Sequence, residues 1–421
     1  MNPDAISANK AQLQVPSSWQ IRPLKSVASF RKGLSILKTD LSDEGVRVIS
    51  YGQIHDKSNT GVKLADGLLR YIPQELTRGG SGARLRYGDL VFADTSEDLE
   101  GAGNAVFVDT DDEVFAGYHT VICRLRDENV LPKFLAYVVN SEYWRSQVRR
   151  QVSGVKVFSI TQRILSSTFV QFPAYPEQQR IVQLLDVETA KIDQAMSLLR
   201  RELETLEQFK KSVIHEAVTK GLDLTVPMKP SGVEWIGEIP ERWGVKRLKY
   251  LCEMNSGTNL TSEEISETGD YPVYGGNGVR GYYSKFNNDS SSVLVGRQGA
   301  LCGNVQLGVA PFWATDHAVV VKELSGYEKK YAFYALTAMN LNRLSMAAAQ
   351  PGLSVEKIIC EFSPVPPLVE QESVALALES KVGGIEAVLE MKYEQLEILK
   401  LQRQSVIFEY VTGKRRVSEE A

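Results

Sequence analysis

The side chains of this sequence best suited to chemistry fall in loops, and they come in two sets. The first is Arg31, Lys32, Tyr51, Gln53, Thr95 and Ser96; the second is Tyr274, Asn277, Arg297 and Gln298. Arginine can bond guanine through two N–H groups, asparagine and glutamine can pair with the edge of adenine, and hydroxyl and ammonium groups reach phosphate oxygens. Several of these residues sit beside glycine, in Ser50-Tyr51-Gly52-Gln53, Tyr274-Gly275-Gly276-Asn277 and Gly296-Arg297-Gln298-Gly299. A residue without a side chain lets a loop come close to a groove. The two sets occupy matched places but differ in residue type, as two surfaces reading different sequences of double-stranded DNA would.

Catalytic chemistry is not expected. GxxxxGK[ST] is absent, so there is no phosphate loop, and Gly101-Ala-Gly-Asn104 lacks the following helix of a dinucleotide site. Asn-Pro occurs only at Asn2-Pro3, which removes the Asn/Asp-Pro-Pro-aromatic element of an amino-methyltransferase acting on a flipped base. His55, His119, His215 and His317 show no HExxH or paired spacing, and His119 and His317 read as polar residues at strand starts. Cys123, Cys252, Cys302 and Cys360 form no CxxC pair, so neither a metal site nor a disulfide framework is expected. They read as reduced and mostly buried, and no cofactor is expected.

The elements that must position the loops are written twice. VPSSWQIRPLKSVASFRKG at 15–33 returns as IPERWGVKRLKYLCEMNSG at 239–257, so Pro16, Trp19, Leu24, Lys25 and Gly33 recur as Pro240, Trp243, Leu248, Lys249 and Gly257. Asn255-Ser256 then stand where Arg31-Lys32 do. In each copy short β-type runs separated by Gly and Asp/Asn clusters precede a helical stretch. The runs are 46–50, 89–93, 105–108 and 120–125 before a helix at 132–151, then 292–296, 305–307 and 318–322 before a helix at 329–342. A Gly-containing loop (Ser153-Gly154, Pro351-Gly352) and a Pro-punctuated exit, FPAYP or SPVPP, follow. This pattern predicts two α/β (α+β) domains related by an internal pseudo-two-fold repeat.

Each copy ends in a long helix, 177–220 and 370–413, at a constant offset of 193 residues. Ile192, Met196, Leu199, Leu203, Leu206 and Val213 mark a heptad seam on the first, continued by Ala217; Ile385, Leu389, Leu396, Leu399 and Val406 mark one on the second. Lys210 and Arg403 place a cation in the seam at the same offset. Coincident seams predict that the two helices pack on each other as an antiparallel coiled-coil pair, a spacer of roughly 60 Å at ~1.5 Å per residue. The expected divisions are 1–176, 177–221, 222–367 and 368–421, with the linker 222–238 docked on the second domain through Trp235 and Ile236.

The whole chain of 421 residues carries a net charge of −4. Its distribution matters more than its sum: 21 basic against 19 acidic residues in 1–176, then −1, −2 and −3 in the remaining divisions. A DNA binder of this balance needs partners to neutralise much of the phosphate charge. No apolar run suits a bilayer and no signal sequence precedes the first domain, so a cytoplasmic location is expected.

The repeated halves, the linker VPMKPSGVEWIGEIPERW, the helix start PEQQRIVQLLD and the ending IHEAVTKGL resemble the specificity subunit of type I restriction-modification systems, from Val15 to about Arg416. The resemblance implies two target-recognition domains, each reading half of a bipartite, asymmetric DNA site, with the helices fixing the gap between the halves. It implies a subunit that is not itself an enzyme, that docks two S-adenosylmethionine-dependent modification subunits, and whose complex recruits ATP-dependent restriction subunits. The base-reading loops differ between members, so the DNA-contacting residues named above rest on side-chain chemistry and repeat position. Two departures stand out: the second helix starts LVEQESVALAL without Pro-Glu-Gln-Gln, and Gly383-Gly384 is expected to interrupt its early turns. A coiled-coil scaffold whose two domains bind proteins is the alternative from another class; an autonomous methyltransferase lacks the motifs it would need.

Overall fold

The computed structural model describes residues 15–154, 156–299, 301–322, 324–345 and 352–417. Asn2-Pro3 and Pro351 of the features above lie outside these residues. The chain divides into two compact units, residues 1–198 with 395–421 and residues 199–394. Each therefore holds one mixed α/β domain together with the beginning of one long helix and the end of the other.

In the first unit a four-stranded antiparallel sheet runs in the order Ala28–Lys32, Thr120–Leu125, Leu90–Ala93, Ala105–Phe107. Beside it Val46–Ile49 pairs antiparallel with Arg70–Ile72 and parallel with Val114–Ala116. The second unit repeats both sheets. Glu253–Ser256, Ala318–Lys322, Ser292–Gly296 and Val305–Gly308 form the larger one, and Tyr271–Gly275 lies between antiparallel Gly278–Tyr283 and parallel Trp313–Ala314 in the smaller. Burial follows the sequence pattern: the central strands Leu90–Ala93 and Ser292–Gly296 are buried at every position, as a strand covered on both faces must be.

The helix expected over 132–151 is two helices, Pro132–Asn140 and Glu142–Arg149. Ser141 leaves helical geometry and its hydroxyl accepts from Trp144 N–H, which starts the second helix. That break seats the fully buried Trp144, whose indole N–H donates to Thr168 Oγ1 at 3.0 Å. Likewise the helix expected over 329–342 ends at Ala338, because Asn340 is left-handed at φ 48°.

Both long helices are continuous, Tyr175–Lys220 and Leu368–Val411. The expected interruption at Gly383-Gly384 is corrected: both glycines lie inside the second helix on its exposed side. Helix interiors tolerate glycine at a cost of about 1 kcal/mol relative to alanine, which 44 residues of ladder and packing absorb. Within each unit the helices run antiparallel. Arg403 Nε donates to Asp193 Oδ1 at 2.8 Å in the first, while Lys210 reaches Glu386 at 3.6 Å in the second. These contacts are one contact written twice, since 386 is 193 + 193 and 210 is 403 − 193. Arg403 is thus paired across the helix pair, and Lys210 lies between Glu386 across the pair and Glu207 of its own helix at 3.5 Å. Of the seam residues, Ile192, Met196, Leu199, Leu203, Val213, Ile385, Leu389 and Leu396 are buried, and Leu206, Leu399 and Val406 half-buried.

The helix starts are locked alike. Gln178 and Gln371 are both fully buried. Gln178 Nε2 donates to Pro173 O and Asn129 O, both at 2.9 Å, and its Oε1 accepts from Leu131 N. Gln371 makes the same three bonds, to Pro366 O (2.8 Å), Gly326 O (3.1 Å) and Glu328 N (2.7 Å). The Glu-Gln pair is therefore shared even though the Pro-Glu-Gln-Gln motif is not. The helix ends match too, in left-handed Gly221 (φ 79°) and Gly413 (φ 73°). A Cβ on Gly221 would touch Trp243, and one on Gly413 would touch Pro16 and Trp19, so the recurring opening motif is where a helix end seats. In the linker, Met228–Pro230 pairs with Glu238–Pro240, and buried Ile236 packs with Ile239 and Trp243.

Candidate nucleic-acid interface

The opening motif finishes on an outer strand of each larger sheet, and its last glycine has no room for a side chain. A Cβ on Gly33 would lie 2.2 Å from Gly117 O and Thr120 Oγ1; one on Gly257 would lie 2.3 Å from Ala314 O. This close approach brings the strand end beside the loop carrying His119 or His317.

In the first unit Arg31 and Lys32 are exposed at that strand end. Tyr51 stands edge-on to three rings, Tyr118 at 5.6 Å, His119 at 5.7 Å and His55 at 6.0 Å between centroids. His55 Nε2 donates to Thr95 O at 2.8 Å and its Nδ1 accepts from Asn104 Nδ2 at 3.0 Å, which fixes the tautomer. His119 is left-handed (φ 53°), and its Nδ1 lies 3.0 Å from Asp94 Oδ1. Tyr51, Thr95, His55 and His119 are thus one cluster. Gln53 Oε1 caps Ser50 N at 3.1 Å, and Ser96 is buried with its hydroxyl donating to Asp98 O, so both serve the loops that carry them.

A cleft of about 650 Å³ opens beside Tyr51, His55 and Asn104, lined also by Glu97, Asp98, Glu100, Glu142, Arg145 and Arg149. Arg149 is bidentate to Glu142, at 2.7 and 2.9 Å. Burial, then the neighbouring Arg149, lowers Arg145 to about 10. Four carboxylates stand against two guanidiniums in its lining, so the cleft is acidic on balance.

In the second unit the turn Gly275-Gly276-Asn277 lies against 296–298: a Cβ on Gly296 would stand 2.0 Å from Gly276 O. Arg297 Nη1 donates to Ser256 Oγ at 3.1 Å and Nε to Leu353 O at 3.2 Å, while its backbone N–H donates to His317 O. These two bonds hold the guanidinium in one pose, and among the described residues its Nη2 meets no hydrogen-bond acceptor. Asn277 and Gln298 are exposed nearby, and Asn304 Nδ2 donates to Asn277 Oδ1 at 2.7 Å. Tyr274 differs from the others. It is buried against Phe312 and its hydroxyl accepts from Val309 N–H, a core role.

Sequence reasoning missed Asn104 and Asn304. Each follows a left-handed glycine (Gly103 and Gly303, both φ 89°) and steadies a residue of its own cluster. The recurring Gly-Asn before a strand was the available signal. Among the described residues no group of His, Cys, Asp and Glu could hold a metal ion. Cys123, Cys252 and Cys302 are buried and Cys360 exposed, and burial pushes the Cys252 thiol up to about 12. No helix among the described residues is long and apolar enough to cross a membrane.

Comparison with known proteins gives a consistent result. The profile of the type I restriction modification DNA specificity domain matches twice, at residues 16–208 and 240–397. The chain is 41% identical over 140 residues to the type I restriction enzyme EcoprrI specificity subunit of Escherichia coli, a match covering 32% of this chain and 35% of that one. The putative MjaX specificity subunit of Methanocaldococcus jannaschii is 24% identical over 96% of this chain and 95% of its own length. A solved chain of a type I R-M system shares the fold at a TM-score of 0.64 and 18% identity, covering 95% of this chain and 99% of that one.

Proposed function

Because the chain belongs to the type I restriction-modification DNA specificity family and carries its domain twice, we propose that it reads a bipartite, asymmetric DNA site, one half with each domain. The observation that carries this reading is the contrast between matched and unmatched parts. The helix starts make the same three side-chain bonds in both units and the helix ends seat alike on the opening motif, while the cluster around Tyr51 is built of aromatic rings and the one around Arg297 of a guanidinium held by Ser256 and Leu353. Equal scaffolds with unequal reading surfaces suit a target with two unlike halves.

The subunit is not itself a catalyst in this reading. It binds double-stranded DNA, docks two modification subunits that bring the S-adenosylmethionine chemistry, and joins restriction subunits, all in the cytoplasm. Arg31, Lys32, Tyr51, Gln53, Thr95 and Ser96 line or support one reading surface, and Tyr274, Asn277, Arg297 and Gln298 the other. The long helices set the spacer. Inserting one heptad into both helices is expected to lengthen the gap between methylated half-sites without changing the half-site sequences, as mapped by sequencing methylated adenines. A changed half-site with a constant gap would overturn the spacer role. Footprinting of the assembled complex that showed no bipartite protection would favour the protein-binding scaffold.

A further inference from the structure

Each unit has its own copy of the smaller sheet, but the segment that leaves it differs. In the first unit the chain passes from Arg70–Ile72 to Leu90–Ala93 through residues 73–89, PQELTRGGSGARLRYGD; in the second it passes from Gly278–Tyr283 to Ser292–Gly296 through residues 284–291, SKFNNDSS. The first carries Arg78, Arg84 and Arg86 around Gly79-Gly80-Ser81-Gly82, and the second carries Lys285 alone.

This loop lies against the strand end already described. A Cβ on Gly80 would fall 2.3 Å from Leu34 Cδ2, and one on Gly82 would stand 3.9 Å from Arg31 Nη1. Glycine at these positions lets the loop backbone approach Arg31. Gly79 is left-handed at φ 77° and Gly80 follows at φ −90°, ψ 22°, an alternation of hand that turns successive N–H groups toward one side. Among the described residues the N–H groups of Gly79, Ser81 and Gly82 meet no backbone acceptor. Arg31, Lys32, Arg78 and Arg86 are all exposed and, among the described residues, none has a carboxylate within ion-pair distance; Arg84 has only Glu113 at 3.7 Å. The acidic cleft is lined by other residues of the unit and none of these.

We propose that the glycine-rich loop 78–86, with Arg31 and Lys32, grips the sugar-phosphate backbone of duplex DNA, and that the second unit has no counterpart. This rests on the DNA-reading assignment above and deepens it: phosphate neutralisation, and with it salt sensitivity, is concentrated on the half-site read by the first unit. Guanidiniums and free amides suit phosphodiester oxygens, and the loop reads no sequence.

The test measures binding of a duplex carrying the methylated site by the full chain assembled with its modification subunits, between about 50 and 200 mM salt. Arg78→Gln and Arg31→Gln are each expected to reduce the slope of log affinity against log salt by about 0.9, with equal losses on the specific duplex and on one with scrambled half-sites. Arg78→Lys keeps the charge and is expected to keep the slope. Lys285→Gln in the second unit is expected to change it by less than half as much. An unchanged slope in Arg78→Gln, an equal loss in Lys285→Gln, or a loss confined to the specific duplex would each overturn the proposal. If the wild-type complex shows no preference for the bipartite duplex, it is the DNA-reading assignment that fails instead.

Discussion

The two units differ least where helix meets domain and most where loops leave the sheets. At the junctions, Gln178 and Gln371 make the same three bonds, and Gly221 and Gly413 seat on Trp243 and on Trp19. At the loops, one unit gathers aromatic rings around Tyr51 and a basic glycine loop, while the other holds Arg297 between Ser256 and Leu353. A buried glutamine whose amide makes three bonds tolerates little change, since each polar group left unpaired costs about 1–3 kcal/mol. An exposed loop carries no such penalty and is free to change its specificity.

The junctions give the sharpest way to break this comparison. Gln178→Leu and Gln371→Leu each leave one buried N–H and two carbonyls without their partner and are expected to destabilise the protein by about 3 kcal/mol or more. Denaturant unfolding followed by hydrogen exchange should show similar losses, each centred on the unit that carries the change. A large loss for one and none for the other would end the claim that the junctions are equivalent.

A smaller effect tests the loops. Arg297→Ala is expected to cost about 1–3 kcal/mol of binding and to relax preference at one half-site only, measured by competition with duplexes altered in either half. Equal weakening on every sequence would make Arg297 a phosphate contact. The smallest effect concerns the helices, where Gly383 stands at the position that Ala190 occupies in the first. Gly383→Ala is expected to stabilise the protein by about 1 kcal/mol, seen as a raised denaturant midpoint, because the glycine is exposed in a helix interior and nothing lies within 4 Å of the added methyl. A lowered midpoint would mean that the glycine serves a contact at this position.

The repeat, the strands 120–125, 292–296 and 318–322, and the seams were legible because each is a periodic pattern that packing must respect. Breaks were not. Ser141 reads as an ordinary helical position until Trp144 is seen to need its cap, and Gly383-Gly384 reads as a break until the ladder runs through it. In the site, residue type pointed to Arg297 and Tyr51, but it placed Tyr274 at the surface when Phe312 holds it in the core. The loop at 78–86 escaped notice because only its packing against Leu34 and Arg31 places it beside the strand end.

The sequence by itself determined the twofold repetition, the offset of 193, the helix seams and the family, because these are properties of order along the chain. Tertiary structure alone decided which half of each helix joins which domain: the first unit takes 1–198 with 395–421, the second 199–394. It also decided that the seam cations reach carboxylates on the other helix, Asp193 for Arg403 and, together with Glu207 of its own helix, Glu386 for Lys210. The reason is physical. Periodicity tells which face of a helix must be covered, but the partner that covers it lies some two hundred residues away, where only packing and charge neutralisation can select it.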